Sequence, residues 1–280
     1  MLGGNTDQAT GLRIIGTEEL RESIDNPKIL VCVGAGNACE AICEQLLLLG
    51  FEKTQIHRMN EYFYWQTKEY FEKHIEKYRE VYQLLEDEFS RRVYLERMKK
   101  AFLLCDISEV VSPCEEEYFD EKVILADDEM FIDCGGFDGD SAMRFIERCH
   151  GHYRGIVIFE PEFCKKAEIE KKLGKNHYEL RQLGVWSKKE KLYFDAVGTC
   201  SSHISEKEGD YVIETAALDE IIFDRRPTYI KMDIEGAEQE ALKGCRKIIQ
   251  TYKPKLAICI YHKPEDLYEI PIMIKEINPE

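Results

Sequence analysis

The sequence predicts an α/β protein whose C-terminal half is a Rossmann-like parallel sheet, preceded by a small βαβ unit and two helices. Three observations predict it. From Phe131 onward, short apolar runs alternate with helical patterns, which implies parallel strands covered on both faces. Phe131-Ile132-Asp133 runs straight into the glycine-rich Cys134-Gly135-Gly136-Phe137-Asp138-Gly139-Asp140-Ser141, where a helix begins. Successive strands then end on Asp133, Glu160, Trp186 and Asp233, so functional groups collect at the edge where open α/β sheets bind ligands.

In order, residues 1–10 are small and polar, and Thr17 is placed to cap a short helix through Ser23. Lys28 to Val33 reads as a buried strand, followed by Gly34-Ala35-Gly36, an apolar helix from Ala38 to Leu49 and a second strand at Thr54 to His57. This βαβ start carries the first two glycines of a dinucleotide fingerprint but has Cys39 at the third position, and His57 and Arg58 where an acid would end the second strand. Tyr78, Tyr82, Leu85 and Phe89, then Tyr94, Met98 and Phe102, recur at helical spacing and predict two helices with core-facing stripes. Pro113 and Glu115 to Glu117 mark a surface connection, with Val123 to Leu125 an extended approach to the main sheet.

The expected strands of that sheet are Met130–Asp133, Gly155–Phe159, Tyr178–Leu183 (passing into Gly184-Val185-Trp186-Ser187), Thr228–Met232 and Lys255–Ile260. Ser141–Cys149, Phe163–Leu173 and Ala237–Ile249 are the expected helices between them. Leu192–Phe194 and Tyr211–Glu214 read as an antiparallel excursion. The domains expected are 1–60 (degenerate Rossmann-like unit), 61–117 (helical connector) and 118–280 (main sheet).

Composition narrows the function classes. A formal net charge of −16 argues against nucleic acid, whose phosphates select Lys and Arg, and against an anionic membrane surface. No apolar run reaches transmembrane length, and the first residues lack a charged-then-apolar signal pattern. The 11 cysteines form no C-x-x-C pair and several sit in apolar segments, as Cys32, Cys134 and Cys259 do. Reduced, buried thiols in a cytoplasmic protein are the expectation.

The glycine turn departs from a phosphate-binding loop because Asp133 stands where a dinucleotide fingerprint has its first glycine. A carboxylate at the mouth of the turn suits a ligand with ammonium or hydroxyl groups. Glu160, roughly 20 residues on, stands where a carboxylate grips ribose hydroxyls. Trp186 is placed either to flank an aromatic base or to pack. Asp233 has Glu235, Gly236 and Glu238 just beyond it, an acidic cluster that calls for solvent, a partner or a cation. Asp233 and Glu235 alone are too few ligands to favour a metal-assisted mechanism. His262, after the fifth strand, is either a general base near neutral pH or a structural imidazole. His203 sits in a polar loop and reads as exposed or substrate-facing.

The segments Phe131 to Ser141, Phe159-Glu160-Pro161, Leu218-Asp219-Glu220-Ile221-Ile222 and Ile230-Lys231-Met232-Asp233-Ile234-Glu235-Gly236-Ala237-Glu238 together resemble the FkbM family of S-adenosylmethionine-dependent methyltransferases. The resemblance covers Tyr118 to Ile277. It implies a class I methyltransferase sheet, S-adenosylmethionine as cofactor and transfer to an oxygen of a sugar, glycan or natural product. It further implies that Asp133, Gly135, Gly139 and Glu160 hold the cofactor, with Asp233 near the transferable methyl. Gly136, Asp140, Ser141, Trp186 and Asp233 complete the candidate cofactor set, and Asp233 and His262 are the candidate catalytic pair. An NAD(P)-dependent oxidoreductase, from the two glycine turns, and a non-catalytic binding protein are the alternatives.

Family sheets of this kind close with an antiparallel hairpin that the sequence up to Glu280 does not supply. The expectation is therefore a truncated form of a longer protein, with an open apolar edge at strand five. That edge would be capped by the Tyr268–Ile277 helix or paired with a second chain. A homodimer through it, or through the N-terminal domain, is the partner expectation beside the small acceptor.

Overall fold

The computed structural model describes residues 5–6, 13–16, 19–20, 22, 24–31, 36–58, 67–103, 117–120, 122–195, 203–205 and 211–279. Most of the expected Thr17 helix, the Gly34-Ala35 turn and residues 104–116 lie outside them. The chain divides into two compact units, Met1–Lys68 with Arg92–Val111, and Glu69–Arg91 with Ser112–Glu280.

In the first unit, β1 (Asn5–Thr6) pairs antiparallel with β2 (Arg13–Ile14). β3 (Ile29–Val31), α1 (Gly36–Leu48) and β4 (Ile56–Arg58) form the expected βαβ, with β3 and β4 parallel. Val31, Cys43, Leu46, Phe51 and Ile56 make its small core. Two long helices follow in sequence, α2 (Lys68–Leu84) and α3 (Glu88–Leu103).

The second unit holds a five-stranded parallel sheet of β5 (Met130–Cys134), β6 (Gly155–Phe159), β7 (Glu179–Arg181), β12 (Tyr229–Met232) and β13 (Lys255–Ile258), in the order β13-β12-β5-β6-β7. The order reverses between β5 and β12, which is the switch point where such sheets open a ligand crevice. Each strand alternates between two cores. Met130, Ile132, Cys134, Val157, Phe159, Ile230 and Met232 face one core, together with α6 (Leu218–Ile221), α7 (Glu238–Lys243), α8 (Arg246–Tyr252) and α9 (Asp266–Ile277). Phe131, Ile156, Ile158 and Tyr229 face the other, beneath α4 (Asp140–Arg148) and α5 (Lys166–Leu173). Every residue of β5, β6 and β12 is buried, the signature of central parallel strands. α4 opens onto its core with Ser141, Ala142, Phe145 and Ile146, one face of a helix.

Three expected elements differ. The third strand is two: β7 stays in the main sheet, while β8 (Gly184–Val185) pairs with β11 (Tyr211–Ala216) in a second sheet. That sheet runs β10-β9-β11-β8, with β9 (Lys191–Asp195) antiparallel to β11 as the excursion predicted; β10 (His203–Ser205), where a polar loop was expected, pairs antiparallel with β9 and puts His203 opposite Asp195. The expected Ala237–Ile249 helix breaks at Gly244, where a β-carbon would stand 2.2 Å from the Trp186 carbonyl. Asp219 restarts it by accepting the Lys247 and Ile248 N–H groups at 2.9 Å each, which caps α8. Val123 and Leu125 form no strand and pack against the aromatic core.

Among the described residues β13 pairs with β12 and with no further strand. α9 packs on α7 and α8 and sends Ile270 and Ile277 into the core below them. α2 lies against α9: the Tyr70 and Tyr268 hydroxyls are 2.9 Å apart, and Tyr78 meets Tyr268 edge-on at 5.0 Å.

The second core is aromatic, with Phe131 stacked on Phe145 at 4.5 Å and Phe119 edge-on to Phe131 and Tyr229. Phe145→Ala empties a fully buried site, so stability should fall by about 3–5 kcal/mol. Urea unfolding followed by circular dichroism reads it; a loss under about 1 kcal/mol would contradict a close-packed core.

Candidate functional site

Asp133 and Lys231 are register partners on neighbouring strands, so both point to the same face of the sheet. Both side chains are buried, 0% and 4% exposed, and the Lys231 Nζ lies 3.2 Å from Asp133 Oδ1. The ammonium also donates to the Gly135 carbonyl at 2.5 Å and the Cys134 carbonyl at 3.4 Å. Asp133 Oδ2 accepts the Ser141 hydroxyl at 2.5 Å, which ties strand end to helix start. Burial works to strip the Lys231 proton, and Asp133 and Asp233 more than offset it, holding the ammonium above the usual lysine value. Burial pushes the Asp133 carboxyl up against the pull of Lys231 and Ser141. Asp133 thus faces inward and positions the turn, where the sequence reading had it reaching for a ligand.

The turn is shaped by contact as much as by conformation. Gly135 has φ +81°, and a β-carbon there would fall 1.9 Å from the Asp233 carbonyl oxygen. At Gly136 a β-carbon would meet Ile158 Cγ2 at 2.2 Å. The Gly135 and Gly136 N–H groups both donate to the Phe159 carbonyl, which binds the turn to the end of β6. Gly139, also left-handed, caps α4.

Carboxylates of the chain itself take the N–H groups that follow. The Phe137 N–H donates to Glu160 Oε2 at 2.8 Å, the Asp140 N–H to Asp138 and the Ser141 N–H to Asp140. Glu160 Oε1 accepts the Glu162 N–H at 2.9 Å. Glu160 is 7% exposed, and burial pushes its carboxyl up to about 7 despite those two donors. Asp140 points outward, 3.8 Å from Arg144.

Across the shared wall, Asp233 accepts the Tyr118 hydroxyl at 2.7 Å and the Tyr261 hydroxyl at 3.2 Å. Burial, with nearby Asp233 and Cys259, keeps both phenols protonated and therefore donors. Tyr118 also lays its ring over Lys231, 5.2 Å from Nζ to centroid. His262 Nε2 is 3.4 Å from Asp233 Oδ1 and 3.5 Å from Glu235 Oε2, and Nδ1 is 3.0 Å from Glu238 Oε1. Glu238 is fully buried and accepts the Ile234 N–H. Glu235, at φ +54°, and Gly236, at +90°, make the left-handed bend that brings these groups round.

Asp133, Gly135, Gly136, Gly139, Ser141 and Glu160 therefore surround one turn, and Asp233 and His262 adjoin it. The Trp186 backbone is held by the second sheet and the break before α8: its N–H donates to Ala216 and its carbonyl abuts Gly244. Among the described contacts none brings it to Glu160. Sequence reasoning missed Lys231, Tyr118, Tyr261 and the closeness of Glu238 to His262. Lys231 had a signal, a lone cation inside a buried apolar strand; Tyr118, 115 residues from Asp233, had none.

The sheet order and the acid-and-glycine turn at its switch point define a Rossmann-like fold of the methyltransferase type. A crystal structure of methyltransferase FkbM from Methylobacillus flagellatus KT is similar, with a TM-score of 0.69 and 23% identity, covering 96% of this chain and 73% of that one. The sequence pattern described as the Methyltransferase FkbM domain matches residues 133–278, just over half of the chain. The chain belongs to the FkbM methyltransferase family. No curated protein matches it.

Asp133→Ala should lower stability by about 3–5 kcal/mol, because it strands the buried Lys231 charge. The double replacement Asp133→Leu with Lys231→Met should recover much of that loss. Denaturant unfolding of the two variants tests this, and a double variant no more stable than Asp133→Ala would contradict a buried charged pair.

Proposed function

We propose that the protein is an S-adenosylmethionine-dependent O-methyltransferase acting on a hydroxyl of a sugar, glycan or natural product. The observation that carries this reading is that the Phe137, Asp140 and Ser141 N–H groups are taken by Glu160, Asp138 and Asp140. A pyrophosphate would need those donors and would meet carboxylates instead, which disfavours a nicotinamide dinucleotide. A ligand with hydroxyl and ammonium groups and a sulfonium charge meets acceptors.

The residues fit such a cofactor. Gly135 and Gly136 leave the space that β-carbons would fill, so the adenosyl part can approach the backbone closely. Each Glu160 oxygen accepts one N–H and keeps lone-pair capacity for a ribose hydroxyl. When bound, the cofactor supplies an activated methyl group. Asp233 and His262 stand at the acceptor side of the same wall and are the groups able to receive the hydroxyl proton. Tyr118 and Tyr261 fix the Asp233 carboxylate by donating to it, so its orientation is set before an acceptor arrives. The cytoplasm is the compartment proposed; among the described residues no helix is long and apolar enough to cross a membrane.

Calorimetric titration with S-adenosylhomocysteine tests the reading. A carboxyl held up at about 7 must ionise to grip ribose hydroxyls, so affinity is full above that pH and falls through it. The loss should be about tenfold between pH 8 and pH 6. Glu160→Gln should bind at least about tenfold more weakly and lose the pH dependence. On folding the same shift acts in the opposite sense: the carboxyl's stabilisation is full below its ordinary 4.5 and gone above about 7. Absence of binding, or wild-type affinity in Glu160→Gln, would overturn the proposal.

A further inference from the structure

We propose that Asp233, Glu238 and His262, with Glu235 alongside, form a binding site for a divalent transition cation at the acceptor end of the cleft. The inference rests on the reading of Asp233 as the acceptor-side group and adds what holds an acceptor oxygen there.

Geometry carries it first. One ligand atom from each of Asp233, Glu238 and His262 lies within 4.8 Å of the others. His262 Nε2 is 3.4 Å from Asp233 Oδ1 and 3.5 Å from Glu235 Oε2, separations that match donors sharing one ion, while Glu238 Oε1 stands at the other ring nitrogen, 3.0 Å from Nδ1. Two atoms each about 2.1 Å from a tetrahedral centre stand about 3.4 Å apart.

Unsatisfied burial carries it independently. The His262 side chain is 8% exposed, and neither ring nitrogen has a well-aligned hydrogen bond, although Nδ1 lies 3.0 Å from Glu238 Oε1. Glu238 is fully buried, and its Oε2 has no partner. A buried polar atom left unpaired costs about 1–3 kcal/mol, and here three meet in one cluster. Native structures keep such groups where an ion or water completes them.

Charge points the same way. Asp233, Glu235 and Glu238 bring three carboxylates to one imidazole. An imidazolium balances one of them, whereas a dication beside a neutral imidazole balances two. Nitrogen and oxygen donors together select Mn²⁺ or Zn²⁺ over Mg²⁺, which favours oxygen and water. Asp233 and Glu235 retain partial exposure, 22% and 39%, so the open coordination positions face the cleft.

The test is calorimetry of Mn²⁺ and Zn²⁺ on the chelator-stripped full chain saturated with S-adenosylhomocysteine, with Mn²⁺ electron paramagnetic resonance to count the bound ion. One equivalent should bind. His262→Ala and Asp233→Asn should each weaken Mn²⁺ by at least about tenfold, since loss of a mere outer-shell partner already costs that much. His262→Ala should keep wild-type affinity for S-adenosylhomocysteine. If His262→Ala fails to fold by circular dichroism, Asp233→Asn decides alone. No binding of either ion up to about 1 mM, or equal Mn²⁺ affinity in the variants, overturns the cation site and leaves the cofactor reading standing. Mn²⁺ binding by a chain with no affinity for S-adenosylhomocysteine would support the ion site and remove the cofactor reading instead.

Discussion

A single buried ion pair organises this protein. Lys231 and Asp133 meet across the β5–β12 register, at the point where the strand order reverses. Isolated charges in such a core would be costly, and the pair persists because each end has further partners. Lys231 grips the carbonyls of Cys134 and Gly135, and Asp133 holds the Ser141 hydroxyl. The strand end, the glycine turn and the first residues of α4 are thereby fixed to the neighbouring strand. Tyr118 covers the ammonium, and its hydroxyl holds Asp233. The same cation therefore orders both the turn and the acid on the far side of it.

That arrangement explains why the two ends of the site are so close. Gly135 can have no side chain because the Asp233 carbonyl occupies the space, so turn and acid share one wall. On one side of the wall Glu160 closes the end of β6; on the other stand Asp233, His262, Glu235 and Glu238. Carboxylates dominate both sides. This polarity suits a cationic, hydroxyl-bearing ligand on the first side and a cation-held or hydrogen-bonded hydroxyl on the second, as the proposed methyl transfer requires. It disfavours a pyrophosphate at either.

Much of this was legible from local pattern, and the remainder depends on tertiary contact. The central strands were readable because parallel strands buried on both faces are continuous apolar runs, and Met130–Cys134 and Gly155–Phe159 are such runs. The turn was readable because its glycines and acids are adjacent in sequence. The inward orientation of Asp133 was not, since it depends on Lys231, 98 residues away, in register on the next strand. The break at Gly244 is set by Asp219 and by the Trp186 backbone, both from other parts of the chain. From sequence alone Trp186 reads either as a base-flanking residue or as packing, because it follows a strand. Its strand proved to be β8, which belongs to the second sheet. Lys231 was the missed clue, a charge in the middle of Tyr229–Met232 that only a buried partner explains.

A crystal structure of the chain with S-adenosylhomocysteine tests the central claim most directly. The account predicts the ribose hydroxyls within hydrogen-bonding distance of Glu160, the adenosyl part against the Gly135–Gly136 backbone, the sulfur toward Asp233, and the Lys231–Asp133 pair intact beneath. A ligand seated away from the carboxyl ends of β5 and β6, or a Lys231 turned out of the core to contact it, would contradict the account.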